Sequence, residues 1–175
     1  MNHLKNNPKY IMKKILYLLL ALFLPLFSKC SSDEKILNVG DKLQHDDYIY
    51  SVQKVMKTAD FVGKKADGMF YVIMFKVQND AKRTEHEWSR GVLYVVDENG
   101  KEYENKLDLQ KEYSRINYEE YRESYKTAAG SSDSAVVVFE LPNTVKQPYI
   151  KYRGDFLMGD LFSGNAFKNS KVKLF

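Results

Sequence analysis

The side chains best suited to chemistry are few and scattered: three histidines at positions 3, 45 and 86, and one cysteine at 30. No two of them have the spacing of a zinc site or a nucleophile–base dyad, and a lone Cys forms no intrachain disulfide. His45-Asp46-Asp47 and His86-Glu87 read as solvated turn residues. Asp97-Glu98-Asn99-Gly100 offers oxygen ligands but lacks the spacing and downstream Glu of a calcium loop. Gly130-Ser131-Ser132-Asp133-Ser134 lacks the Gly-x-Ser-x-Gly elbow of hydrolases. The nine glycines read as standing singly, at turns and strand ends, so no loop is built to cradle phosphate. Catalytic residues, metal ligands and cofactors are therefore not expected.

One segment has the composition of a binding surface. Between Glu112 and Thr127 lie Tyr113, Tyr118, Tyr121 and Tyr125, interleaved with Arg115, Glu119, Glu120, Arg122 and Glu123. The spacing of Tyr118, Tyr121 and Tyr125 predicts one side of a short helix. Tyrosine beside arginine suits protein contacts and sugar stacking, because a large rigid ring also carries a hydroxyl. Tyr113, Tyr118, Tyr121, Arg122 and Tyr125 are the candidate binding residues. The competing reading is structural: the rings cap one open end of a sheet sandwich, with their hydroxyls in water. Trp88 reads as core, while Tyr149, Tyr152 and Phe156 fit either a core or an aromatic face.

The amino terminus places the protein. After Met12 come Lys13-Lys14, an apolar run from Ile15 to Phe27 broken only by Pro25, and then Ser28-Lys29-Cys30-Ser31-Ser32-Asp33-Glu34. That run is too short to span a bilayer, which takes about 20 residues, and it has the basic head, apolar middle and polar exit of a signal peptide. Residues 1–29 are read as that signal peptide, with Met12 as the natural start. Leu26-Phe27-Ser28-Lys29-Cys30 resembles the end of a bacterial lipoprotein signal peptide, which implies cleavage before Cys30 and a diacylglycerol on its sulfur. Lys29 departs from that pattern, which has a small residue there. Residues 30–35 are then the lipidated Cys and a tether, whose acidic run is similar to that of surface-exposed lipoproteins of the Bacteroidetes type. The resemblance implies export and anchoring to the bacterial cell envelope, at the outer membrane or cell surface.

Processing also changes the charge. The net charge of +4 includes five lysines in residues 1–29, a stretch with no acidic residue. Without them the chain carries 22 basic against 23 acidic side chains, a net of −1. Nucleic acid, which selects clustered cations, is not an expected partner.

The rest of the chain must hold these residues in place, and its pattern is that of strands. Apolar residues alternate in seven stretches: Asp47 to Met56, Met69 to Gln78, Gly91 to Asp97, Lys101 to Lys106, Ser134 to Leu141, Pro148 to Phe156 and Lys171 to Phe175. In the second, Tyr71, Ile73, Phe75 and Val77 share one face. Phe70, Val72 and Met74 share the other until Lys76 and Gln78 turn it polar, so this strand should be central at one end and exposed at the other. Asn99-Gly100 predicts a tight hairpin with positive φ at both central residues. No stretch reads as a sustained amphipathic helix. About seven strands with polar turns predict an all-β, antiparallel sandwich over residues 36–175.

The order of short motifs resembles a family of Ig-like domains of unknown function, common in secreted bacterial proteins and lipoproteins, whose fold is shared with a secreted mycobacterial immunoprotective antigen. The matching residues are Val39-Gly40-Asp41, Phe70 to Asn79 ending Val77-Gln78-Asn79, Val95 to Tyr103, Ala129-Gly130, and Ala135 to Pro142. The long Tyr-rich segment from Asp108 to Lys126 departs from it. The resemblance implies an Ig-like β-sandwich in the envelope and supplies no catalytic residues. The expectation is a lipid-anchored, non-catalytic binding module for an envelope protein or a glycan. A structural accessory subunit of an envelope complex is the first alternative, and a carboxylate-based hydrolase the second.

Overall fold

The computed structural model describes residues 34–153 and 169–175. The expected signal peptide, Cys30, the tether up to Asp33, and Phe156 lie outside the described residues.

The alternation of Tyr71, Ile73, Phe75 and Val77 places them on the inner face of the longest strand, β4 (Lys64–Asn79). It pairs antiparallel with β3 (Tyr48–Phe61) on one side and β9 (Ser132–Leu141) on the other. With β2 (Lys42–His45) at one edge, these make a four-stranded sheet in the order β2-β3-β4-β9. The second sheet has the order β1-β11-β10-β6-β7, from β1 (Lys35–Leu37), β11 (Ser170–Lys173), β10 (Tyr149–Tyr152), β6 (Leu93–Val96) and β7 (Glu102–Tyr103). Its β1–β11 pair is parallel. A small ladder of β5 (His86–Ser89) and β8 (Ser124–Thr127) completes the set.

The inner faces of the two large sheets meet in one core, where Ile73, Phe75, Val137 and Phe139 face Leu93, Val95, Ile150 and Val172. Fully burying a side chain of this kind is worth about 1.5 to 3 kcal/mol. All seven expected stretches contain a strand, and the expected sandwich is the fold. The described residues hold eleven strands, since β1, β2, β5 and β8 lie outside the seven expected stretches.

Two local expectations about turns and glycines are corrected. The hairpin with two positive φ angles is at Val62-Gly63 (φ 45° and 77°), linking β3 to β4. At Asn99-Gly100 only Gly100 is left-handed, at φ 81°. The Asp97 carboxylate accepts the N–H groups of Asn99 (2.8 Å) and Lys101 (2.9 Å) and stabilises a three-residue loop in place of the two-residue turn. Burial pushes this carboxyl up, but the two N–H groups and the Tyr103 hydroxyl outweigh burial and hold its pKa below the usual range. Gly68 is neither at a turn nor at a strand end. It lies buried within β4, where a Cβ would sit 2.1 Å from the Leu141 carbonyl oxygen.

Neither later histidine is a solvated turn residue. His45 is buried, and His86 is half-buried, stacked 3.7 Å from the Tyr48 ring, with Nε2 hydrogen-bonded to the Tyr50 hydroxyl at 2.5 Å. Burial, with a smaller repulsion from His45, lowers the His86 pKa below its ordinary value of about 6.5. The neutral ring is therefore the folded form. Its contribution to stability is complete above about pH 6.5 and is lost as pH falls through the depressed folded pKa. Between about pH 7.5 and about pH 5.5, the urea midpoint of the wild type should fall more than that of His86→Gln, which lacks the group. Parallel curves for the two proteins would contradict this.

Candidate functional site

The Tyr-rich segment begins as a helix, α1 (Leu107–Ile116), which the alternating pattern of the chain did not announce. Leu109 and Tyr113, four residues apart, face the outer side of the four-stranded sheet and pack with Phe61, Phe70 and Val138. Asp108 in the first turn and Arg115 in the last complement the helix dipole. Among the described residues, only part of the sheet's outer face is covered. Phe70 and Val138 lie beneath the helix, while Met56 and Met74 are each 45% exposed.

The helix ends in a Schellman motif with tyrosine where glycine is usual. Glu119 N–H bonds the Ser114 carbonyl (2.8 Å) and Tyr118 N–H the Arg115 carbonyl (3.4 Å), with Tyr118 left-handed at φ 56°. A left-handed turn costs an L-residue roughly 1–2 kcal/mol. Tyr118 recovers none of it by packing, since its side chain is 98% exposed.

Tyr118, Tyr121 and Tyr125 do not line one side of a helix as expected, because the chain leaves α1 before reaching them. Tyr113 stacks on Phe61 with ring centroids 5.6 Å apart. Tyr121 lies in the following loop, its ring 4.8 Å from the Arg90 guanidinium, and its hydroxyl is buried with no hydrogen-bond partner among the described residues. Burial raises the pKa of that hydroxyl. Arg122 is exposed and pairs with Glu120 at 3.0 Å. Tyr125 lies on β8, buried and stacked on Trp88 at 4.3 Å, so Trp88 is core as expected and Tyr125 is part of it.

One residue that the sequence reading missed holds these pieces together. Arg90, 4% exposed, leaves β5 in a short 3-10 turn (Arg90–Val92). Its Nε donates to the Arg122 carbonyl (2.7 Å) and its Nη1 to the Val136 carbonyl (2.6 Å) and Gln110 Oε1 (3.3 Å). Nη2 donates to the Tyr125 hydroxyl (2.7 Å). Helix, loop, β8 and β9 are thus joined through one guanidinium, which has no carboxylate hydrogen-bond partner among the described residues. A five-donor planar fork can do this and a lysine cannot.

Around Arg90 opens a cleft of about 420 Å³, lined among others by Met74, Tyr113, Ser114, Glu119, Arg122, Tyr125 and Asp133. A smaller pocket of about 150 Å³, lined by Lys54, Met56, Phe61 and Val72, shares Met74, Tyr113 and Val136 with it. The two form one groove with an apolar middle. Of the five candidate residues, Tyr113, Arg122 and Tyr125 line the cleft, whereas Tyr118 and Tyr121 do not. No group of three or more His, Cys, Asp or Glu side chains among the described residues could hold a metal ion.

No family model matches the chain, and no curated protein does. Several solved structures match it. The yjhA protein from Bacillus subtilis aligns over 79% of this chain and 99% of its own at 13% identity, with a TM-score of 0.55. An uncharacterized beta-sandwich protein from Clostridium difficile aligns over 85% and 99% at 11% identity, with a TM-score of 0.51. MPT63, a secreted protein from Mycobacterium tuberculosis, aligns over 72% and 94% at 9% identity, with a TM-score of 0.50. At such identities the likeness is one of fold: the chain is an all-β sandwich of the kind these proteins share.

Proposed function

We propose that the chain is exported, lipidated at Cys30 and anchored to the bacterial cell envelope, where its sandwich serves as a non-catalytic interaction module for another envelope protein. The motif order from Val39 to Pro142 supports placing the domain in the Ig-like family it resembles. One observation carries the binding reading. Seven large apolar or aromatic side chains are exposed among the described residues, and four of them, Met56, Met74, Ile116 and Tyr118, lie on the groove or at the helix end beside it. Concentrated exposure of this kind marks contact surfaces. Methionine and isoleucine favour a protein over a glycan, since they offer adaptable apolar area and no hydroxyl-directed groups.

The strained, exposed Tyr118 supports the same reading, because backbone strain concentrates where function maintains it. Tyr118→Gly is expected to raise stability by about 1 kcal/mol by relieving the left-handed turn, while weakening partner binding. Urea denaturation reads the first effect and retention of the partner in membrane extracts the second. A variant that is stabilised and binds normally would remove Tyr118 from the contact surface. The anchor is tested by the intact mass of the protein extracted from membranes: acylated Cys30 at the first position is expected, and an unlipidated chain would overturn it.

A further inference from the structure

We infer that β3 takes an extended segment of a partner protein as an added strand along Gln53 to Thr58, where the four-stranded sheet has an unpaired edge. The inference is independent of the groove, since it rests on backbone hydrogen bonding and not on what the outer face of the sheet touches.

β2 pairs only with the first four residues of β3, Tyr48 to Ser51, while β4 pairs with β3 along nearly its whole length. Past Ser51 one more backbone bond is made on the side of β2, from Gly40 N–H to the Val52 carbonyl (2.8 Å). A bulge then inserts Gln53, and Lys54 to Thr58 run in unbroken register with Met74 to Phe70. Backbone direction alternates along a strand and resumes after a bulge, so Val55 and Lys57 turn their N–H and C=O groups to the side that the Val52 carbonyl faces. Those groups have no hydrogen-bond partner among the described residues. The run ends at Thr58, whose hydroxyl accepts Asp60 N–H (3.2 Å) and donates to the Asp60 carbonyl (2.9 Å). The register shifts at Gln53 and Ala59 therefore bound the open run and do not interrupt it.

An unpaired ladder selects its occupant, because an extended backbone is what offers C=O and N–H groups at the same spacing. Exposed apolar side chains stand beside it to receive the guest's own. Val39, next to Gly40, is 37% exposed at the start of the run, and Met56 lies in its middle. Phe175, 60% exposed, is at the other end, its ring 5.7 Å from that of Tyr71, which is cross-strand from Lys57. Lys54 and Lys57 make no ion pair among the described residues, and the acids nearest in sequence, Asp41 and Asp60, lie beyond the ends of the run. Two copies joined edge to edge would crowd four such lysines into one short ladder, whereas a guest with acidic side chains gains from them. The partner is thus a different chain.

The test is amide hydrogen exchange of the full chain, read by mass spectrometry on peptides spanning residues 53–58, in gently isolated cell envelopes and again after purification away from them. The fast-exchanging amides of that stretch should slow by about a hundredfold in envelopes, the protection given by a partner present at about 100 times its Kd. Lys57→Pro removes an edge-facing N–H and no bond to β4, and edge strands tolerate proline. It should leave the urea midpoint near that of the wild type and abolish the protection of the remaining edge amide, whereas Lys57→Thr, which keeps the N–H, should retain most of it. Equal exchange in envelopes and in the purified chain would overturn the proposal. Protection that persists after purification and rises with the chain's own concentration would also overturn it, because it means a second copy. So would protection indifferent to Lys57→Pro, which means a partner lying on the side chains without pairing with the strand. The envelope comparison needs no variant, so it decides the proposal even where Lys57→Pro is too unstable to read.

Discussion

Arg90→Met is expected to lower stability by about 4 kcal/mol, one of the two largest effects for a single substitution in this domain. Methionine ends where the arginine Nε stands, so part of the loss is the space the guanidinium leaves beside Tyr121 and Tyr125. The larger loss is hydrogen bonding: the Arg122 and Val136 carbonyls, Gln110 Oε1 and the Tyr125 hydroxyl all take bonds from this guanidinium. An unsatisfied buried acceptor costs roughly 1–3 kcal/mol, and those near the cleft recover part of that from water. Arg90→Lys should lie between the two, because one ammonium cannot reach four acceptors set around a plane. Urea titration followed by Trp88 fluorescence reads both total stability and the local contact, since Trp88 stacks on Tyr125. A loss under about 1 kcal/mol for Arg90→Met would mean that the hub is wet and its bonds exchange freely with solvent.

Arg90 also closes an edge. β9 has β4 on one side, and on the other its Val138 carbonyl is taken by Lys106 N–H (2.7 Å) and its Val136 carbonyl by Arg90. An open edge is a template for another strand, and an inward-pointing charge is one way to block it. Arg90 thus blocks strand addition along this edge of the four-stranded sheet.

How much of this was legible in the sequence depends on the length of the signal. β4 showed two faces because the stretch from Met69 to Gln78 carries several repeats of the period, but the change on its outer face, expected at Lys76, is already made at Met74, which is half-exposed where Phe70 is buried. α1 was missed because only Leu109, Tyr113 and Ile116 mark its apolar side, and Gln110 and Ser114 are buried although polar. The tyrosines were noticed for their chemistry, yet their division into core (Tyr125), hub (Tyr121) and exposed ring (Tyr118) follows from where the helix stops. That stop is unmarked, since the residue at the left-handed position is not glycine. A buried arginine looks in sequence like any surface arginine. Only the assembled strands disclose Arg90.

Asn79→Asp is expected to cost about 4 kcal/mol although it changes a single nitrogen to oxygen. Asn79 ends β4, is fully buried, and donates through Nδ2 to the carbonyls of Thr84 (2.7 Å) and Thr127 (2.9 Å), while Oδ1 accepts Ala81 N–H (3.0 Å). Its side chain therefore ties the loop after β4 to the end of β8. A carboxylate keeps the bond from Ala81 but sets a charged oxygen against two carbonyl oxygens. Asn79→Ala, which leaves the same carbonyls unpaired without adding charge, should cost less, about 2 to 3 kcal/mol. The two variants also differ in their response to acid. Burial and the facing carbonyls raise the pKa of the new carboxyl above its unfolded value of about 3.9, and its protonated form can donate one of the lost bonds. A group with a raised folded pKa has its full stabilising effect below the unfolded pKa and loses it as pH rises through the folded one. The gap between Asn79→Asp and wild type should therefore narrow as pH is lowered from 7 toward about 4, while the gap for Asn79→Ala stays constant. If both gaps stayed constant, the new carboxyl would be in contact with solvent, and the side-chain tie between β4 and β8 would not be the buried link its distances describe.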